Sequence, residues 1–204
     1  FAHIDNISKL MNTIYSLLKD DGIFITESHY LLSLIEENQY DTIYHEHLRY
    51  YSLSSLNYLF NKYNMEIVFA KRIQTHGGSI RVYAAQKNSR KIEGNVNKIL
   101  NYEEESGLID GTILKKFRRD VVKSKIELYS LLSPIIRSDA RIFGVGAPSR
   151  ASTLINYVGI DDGILECVVE ISSSHKLNKY IPGTKIPVLD EMILFEQQPE
   201  YVLL

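Results

Sequence analysis

Cysteine is nearly missing from these 204 residues, and so is any imbalance of charge. The one cysteine, Cys167, lies inside an apolar, strand-like run, which leaves no partner for a disulfide and no thiolate cluster for a metal. A reducing, cytoplasmic setting is the expectation. A formal net charge of −2 creates no field that would gather a phosphate backbone. The basic pairs Lys115-Lys116 and Arg118-Arg119 are interrupted by Phe117, as on a solvated helix face, so nucleic acid is not an expected partner. No apolar run approaches the roughly 20 residues that span a bilayer. No basic stretch followed by an apolar one opens the chain, and no membrane partner is expected. Repeats and low-complexity tracts are absent as well. Glycine is scarce at the start: before Gly77 there is only Gly22, so no glycine-rich phosphate loop precedes the first histidine. The chain opens on Phe1 and closes on the apolar run Tyr201-Val202-Leu203-Leu204, which reads as a piece of a longer protein.

What is present suffices for a sizeable core. With 45% hydrophobic and 24% charged residues, the chain fits one large or two small domains. Apolar residues from Ile4 to about Leu18 recur at helical spacing and stop at Asp20-Asp21-Gly22. A strand over Gly22–Glu27, a helix over Ser54–Tyr63, and two strands over Met65–Ala70 and Ser79–Ala84 follow, the last two joined around Gly77-Gly78. From Lys91 to Ile136 the text is helical and charged, with Ile113, Phe117, Val121, Leu128 and Leu132 on one stripe, a connector packed on its neighbours. From Asp139 a strand, a glycine turn and a helix begin again. The fold class is α/β: a partial Rossmann-like domain over 1–90, whose element order resembles the closing half of a methyltransferase sheet, a helical connector over 91–138, and a second, truncated Rossmann-like domain over 139–204.

Three constellations carry chemistry. Tyr44-His45-Glu46-His47 packs two imidazoles, a carboxylate and a phenol into four residues, equipment for moving a proton near neutrality. An extended backbone would put Tyr44 and Glu46 on one face and His45 and His47 on the other; a sharp bend would bring them together. The plain structural alternative is an aromatic core stretch, Tyr40 to Tyr51, with its histidines hydrogen-bonded inside it. A metal is not assigned, because the downstream Glu of a His-x-His site is missing and Arg49 follows at once. The second constellation, His76-Gly77-Gly78-Ser79-Ile80-Arg81, lets backbone approach a ligand while Arg81 offers a bidentate fork to phosphate or carboxylate; an ordinary hairpin is its alternative.

The third is a strand entering Gly144-Val145-Gly146-Ala147-Pro148 and opening a helix at Ser149-Arg150-Ala151, a nucleotide-binding layout. Ser149 stands where the third glycine of a dinucleotide fingerprint belongs, and Pro148 removes a donor. Glu170, 26 residues after Gly144 at the end of the next strand, is placed to accept ribose hydroxyls.

These motifs, with Phe1-Ala2-His3-Ile4 and Tyr180-Ile181-Pro182-Gly183-Thr184-Lys185-Ile186-Pro187, occur in the order found in the S-adenosylmethionine-dependent sugar C-methyltransferases. The chain resembles the second half of their central domain plus most of the last one. The resemblance implies methylation at C-3 of a keto-deoxysugar nucleotide: His47 as general base, Tyr44 and His3 orienting the sugar or donating to the enolate oxygen, and Glu46 holding a sugar hydroxyl or an imidazole. His45, His76, Gly77, Gly78, Gly144, Gly146 and Glu170 would line the substrate, and Arg81, Arg150 and Lys185 would meet its diphosphate. Two departures stand out: Arg150-Ala151 where Lys-Gly is more usual, and Ser172-Ser173-Ser174-His175-Lys176 in place of an Asn-Pro turn. The cofactor S-adenosylmethionine would find no glycine cradle here, so the chain alone is expected to be inactive. Two rivals stay open: a non-catalytic nucleotide-sugar-binding module, and a NAD-dependent oxidoreductase using Gly144 to Arg150.

Overall fold

The computed structural model describes all 204 residues, the side chain of His76 excepted. The chain divides into two compact units, Phe1–Gln39 with His45–Arg118, and Tyr40–Tyr44 with Arg119–Leu204.

The first unit is a three-stranded antiparallel sheet with helices packed on it. Its strands are β1 (Phe24–His29), β2 (Met65–Ile73) and β3 (Ser79–Gln86), in the order β1-β3-β2. The pair expected around Gly77-Gly78 is therefore present, with Met65 opposite Gln86 and a bulge between Ile67 and Phe69. Helix α1 (Ile7–Leu17) starts where the Asn6 side chain accepts the Lys9 amide at 2.9 Å. Helix α3 (Leu53–Lys62) starts at a Ser52/Ser55 capping box. Their apolar faces, with α4 (Gly94–Glu105), bury Met11, Leu56, Phe60 and Val96 against Ile67, Ile80 and Val82. Helix α2 (Leu31–Glu36) was not legible as a helix: its six residues are an almost unbroken apolar run, too short for periodicity to separate helix from strand.

A fully buried carboxylate ties this unit together. Glu103 of α4 accepts hydrogen bonds from the Tyr30 hydroxyl at 2.8 Å, from the Leu53 and Ser54 amides at 2.5 and 2.8 Å, and from the Ser54 hydroxyl at 2.5 Å. The amides belong to the first turn of α3, where N–H groups lack partners within the helix and the dipole favours an anion. Burying a carboxylate costs several kcal/mol unless its oxygens are satisfied, and four donors satisfy this one.

The second unit is a doubly wound sheet of β4 (Ile142–Val145), β5 (Cys167–Glu170), β6 (Lys179–Tyr180), β7 (Pro187–Asp190) and β8 (Tyr201–Leu203), in the order β6-β7-β5-β4-β8. All neighbours are parallel except the short edge strand β6. Parallel strands covered on both faces read as continuous apolar runs, as Cys167-Val168-Val169 does. One face packs on α6 (Ser149–Val158) and the end of α5 (Thr112–Arg137) through Leu132, Ile155 and Val158; the other packs on α7 (Met192–Gln197) through Phe143, Cys167 and Ile193. The chain runs from β4 to β5 on one side and returns to β8 on the other, so the order reverses beside β4. Crevices outside the carboxyl ends of strands at such a reversal are where α/β sheets bind ligands, and Gly144–Pro148 leaves β4 there. The helical stretch 91–138 is shared: α4 belongs to the first unit, while α5 gives its start to the first and the remainder to the second.

Candidate functional site

Tyr44 is a bend and His45-Glu46 a turn, so the segment is not extended and its side chains do not alternate as on a strand. Leu48 donates its amide to the Ala2 carbonyl at 3.1 Å, and the Arg49 guanidinium grips the Ile4 and Asp5 carbonyls. These bonds hold the first residues against the motif. His3 and His47 come together, ring centroids 5.1 Å apart and planes inclined by 56°. His3 Nδ1 lies 2.8 Å from the Glu46 carbonyl oxygen. A carbonyl only accepts, so Nδ1 carries the proton and Nε2 is the basic nitrogen of the neutral ring. Tyr50 stands edge-on to His47 at 5.8 Å.

Glu46 thus orients an imidazole through its backbone, while its carboxylate is exposed, as is His45. Tyr44 is half-buried and groups with the second unit. The aromatic-core alternative holds for Tyr40 and Tyr51, which are buried. Among the described residues, no group of three or more His, Cys, Asp and Glu is arranged to hold a metal ion.

Around the second constellation the structure adds partners that the motif did not suggest. Arg81 donates to Glu27 Oε2 through Nε at 2.9 Å and a terminal nitrogen at 2.7 Å, directly across the sheet, and Thr75 donates to the other oxygen of Glu27 at 3.0 Å. A diphosphate would have to displace Glu27 from Arg81. The Gln39 side chain donates to the Gly77 carbonyl at 2.7 Å and meets His29 Nε2 at 3.0 Å through its oxygen. Gly78 has φ +110°, and a Cβ there would sit 2.5 Å from the Ser33 Cβ, so both conformation and space demand glycine. These are the features of a tightly packed hairpin turn. The His76 side chain lies outside the described residues.

In the second unit the glycine turn bends as expected, but its polar groups are engaged differently. Gly146 is left-handed at φ +83° and donates its amide to Val169 O at 2.9 Å. Glu170, read as a ribose acceptor, takes the Ala147 amide at 2.6 Å, and the Lys176 ammonium lies 3.5 Å from the same oxygen. Lys176 also donates to the Ala147 carbonyl at 2.6 Å. One loop amide and its nearest acid therefore satisfy each other, which weakens the dinucleotide reading.

Gly144 packs against Val168 and Leu165. Arg150, in the first turn of α6, is paired with Asp41 at 2.8 Å. Lys185 is exposed on the β6–β7 turn, which the Asn156 side chain holds by donating to the Pro182 carbonyl at 2.8 Å. Sequence reasoning missed Glu27, Gln39, Asp41, Asn156 and Lys176. The Arg150–Asp41 and Arg81–Glu27 pairs span separations of 109 and 54 residues, which no local pattern encodes.

A family model described as "C-methyltransferase C-terminal domain" matches residues 74–204, and one described as "Methyltransferase domain" matches residues 1–69. The chain is similar to the C-methyltransferase NovU of Streptomyces niveus, at 30% identity over 205 aligned residues. That alignment takes in 100% of this chain and 49% of the relative, so the chain spans about half the relative's length. The C-terminal-domain model covers more than half of the chain, and its bounds enclose Arg81, the glycine turn, Arg150 and Lys185. With the α/β architecture already described, the chain belongs to the C-methyltransferase family.

Proposed function

We propose that these residues are the proton-transfer and acceptor-binding part of an S-adenosylmethionine-dependent C-methyltransferase acting on a keto-deoxysugar nucleotide. The observation that carries the reading is the His3–His47 pair, two imidazoles 5.1 Å apart with His3 held in one tautomer by the Glu46 carbonyl. A ketone at C-4 acidifies the hydrogen at C-3. His47 takes that proton, the C–H electron pair moves into the enolate, and charge collects on the C-4 oxygen. Tyr44, through its hydroxyl, is the donor assigned to that oxygen or to the sugar beside it, and His3, whose Nε2 can accept a sugar hydroxyl, is assigned to orienting the sugar. Protonation of the enolate oxygen is not needed; the carbanion is consumed when C-3 gains the methyl group.

S-adenosylmethionine supplies an electrophilic methyl when bound. The residues present do not fit a cradle for it: a Cβ on Gly22, the lone early glycine, would lie 2.9 Å from Leu18 Cδ1 and 3.0 Å from the Lys19 carbonyl, so that glycine serves the turn between α1 and β1. No residue of this chain is assigned to the cofactor, and the roles above are binding, orientation and proton removal only. The nucleotide is assigned to the second unit, at the carboxyl end of β4; Lys185 is left out of this assignment, because the turn between β6 and β7 precedes the amino end of β7, at the opposite edge of the parallel strands.

In the whole protein, His47→Ala should lower methyl transfer by about two to four orders of magnitude, the range of a positioned base, while S-adenosylmethionine binding stays as in the wild type. Turnover unchanged by the substitution would remove His47 from the mechanism.

A further inference from the structure

Helix α6 carries a stripe that the nucleotide reading does not use. Arg150, Thr153 and Tyr157 recur at i, i+3 and i+7, hence on one face, and each meets the short segment that ends at Tyr44. Arg150 Nε donates to Asp41 Oδ2 at 2.8 Å, the Thr153 hydroxyl reaches the Ile43 carbonyl at 3.5 Å, and the Tyr157 ring lies 5.2 Å from the Tyr40 ring. Lys125 steadies that ring, with its ammonium 5.4 Å from the Tyr157 centroid and donating to the Tyr157 carbonyl at 3.0 Å. Tyr40 and Thr42 are buried in a single 3-10 turn, closed by the Ile43 amide on the Tyr40 carbonyl at 3.0 Å.

We infer that Asp41 and Arg150 form a pair that positions Tyr44, with Arg150 a positioning residue and not a diphosphate ligand. This rests on the reading that gives Tyr44 a role in proton transfer. Arg150 sits in the first turn of α6, next to the glycine turn, where a diphosphate contact is the natural expectation; its guanidinium is instead turned onto a carboxylate three residues before Tyr44. A charge-assisted bond between fixed planar groups specifies direction as well as distance. Of the three attachments, it is the ionic one, and it anchors the end of the stripe nearest the glycine turn. An exposed ion pair contributes little to global stability, so its effect should be read locally, in how firmly the turn before Tyr44 stays closed.

Amide hydrogen exchange at Ile43 tests the pair without any need for turnover. Asp41→Ala and Arg150→Ala should each speed exchange by about two- to fivefold, the size of an exposed ion pair. The double alanine variant should go no further than either single one, and the reversed pair, Asp41→Arg with Arg150→Asp, should return to within about twofold of the wild type. In the whole protein both single variants should lower kcat by the same factor and leave KM for the nucleotide sugar unchanged. Asp41→Ala should bind dTDP, used as the probe, as the wild type does. Ile43 exchange untouched by both single variants would overturn the pair. So would a tenfold or greater loss of dTDP affinity in Arg150→Ala alone, with Asp41→Ala like the wild type in exchange and kcat. Failure of the catalytic reading shows elsewhere: full methyl transfer by His47→Ala would end that reading and leave the exchange result standing.

Discussion

Tyr30 shows how one side chain records its surroundings. Its hydroxyl is buried and donates to Glu103, and the Arg72 guanidinium lies 5.2 Å from its ring centroid. Burial first, and then the Glu103 carboxylate, hold the phenol's pKa above its ordinary value of 10. The folded state therefore keeps the proton after the unfolded chain has released it. Stability from this group is intact below about pH 10 and is lost as pH rises beyond that, with a limiting slope of about 1.4 kcal/mol per pH unit. Urea unfolding followed from about pH 8 upward should show this decline, and Tyr30→Phe should flatten it; an alkaline slope identical in the two proteins would assign it to other groups. Cys167 is the opposite kind of residue. Burial pushes its thiol up to about 11, so it stays protonated and acts as a small apolar group in the core.

Among the elements, α3 depends most on a distant residue. Its first-turn amides are capped by Glu103 from α4, about 50 residues along the chain. Glu103→Ala strands a phenol, a hydroxyl and two amides, and should cost about 3 kcal/mol in equilibrium unfolding. Glu103→Gln keeps the acceptor oxygen and should cost roughly half as much. A loss under about 0.5 kcal/mol for the alanine variant would mean that α3 is held by its apolar face alone.

Elements with a repeating pattern were legible in the sequence: α1, α3, β2, β3 and α6 all lie where periodicity and turn residues put them, give or take a few residues. The short ones were not. Helix α2 hides in an apolar run, and β6 and β7, two and four residues long, carry too little text to show a period. The same limit governs the site. The motifs named Tyr44 to His47 and the glycine turns, because those are local signals. The partners that fix them, Glu27 for Arg81, Asp41 for Arg150 and Lys176 for Glu170, come from elsewhere in the chain and needed the fold.

At the scale of the molecule, the candidate groups are divided between two α/β units. The first holds the His3–His47 pair; the second holds the glycine turn and the stripe on α6 that grips Tyr40–Ile43. No helix among the described residues is long and apolar enough to cross a membrane. On the reading proposed above, the roles given to these residues are proton removal and acceptor binding, and none is given to the methyl donor.

That division makes the central claim separable from methyl transfer. The whole protein, incubated in D2O with a 4-keto-deoxysugar nucleotide and no methyl donor, should exchange the C-3 hydrogen for deuterium, and His47→Ala should slow that exchange by about a hundredfold or more. Deuterium uptake at the wild-type rate in the His47→Ala protein would contradict the assignment of the base and, with it, the role given to the imidazole pair.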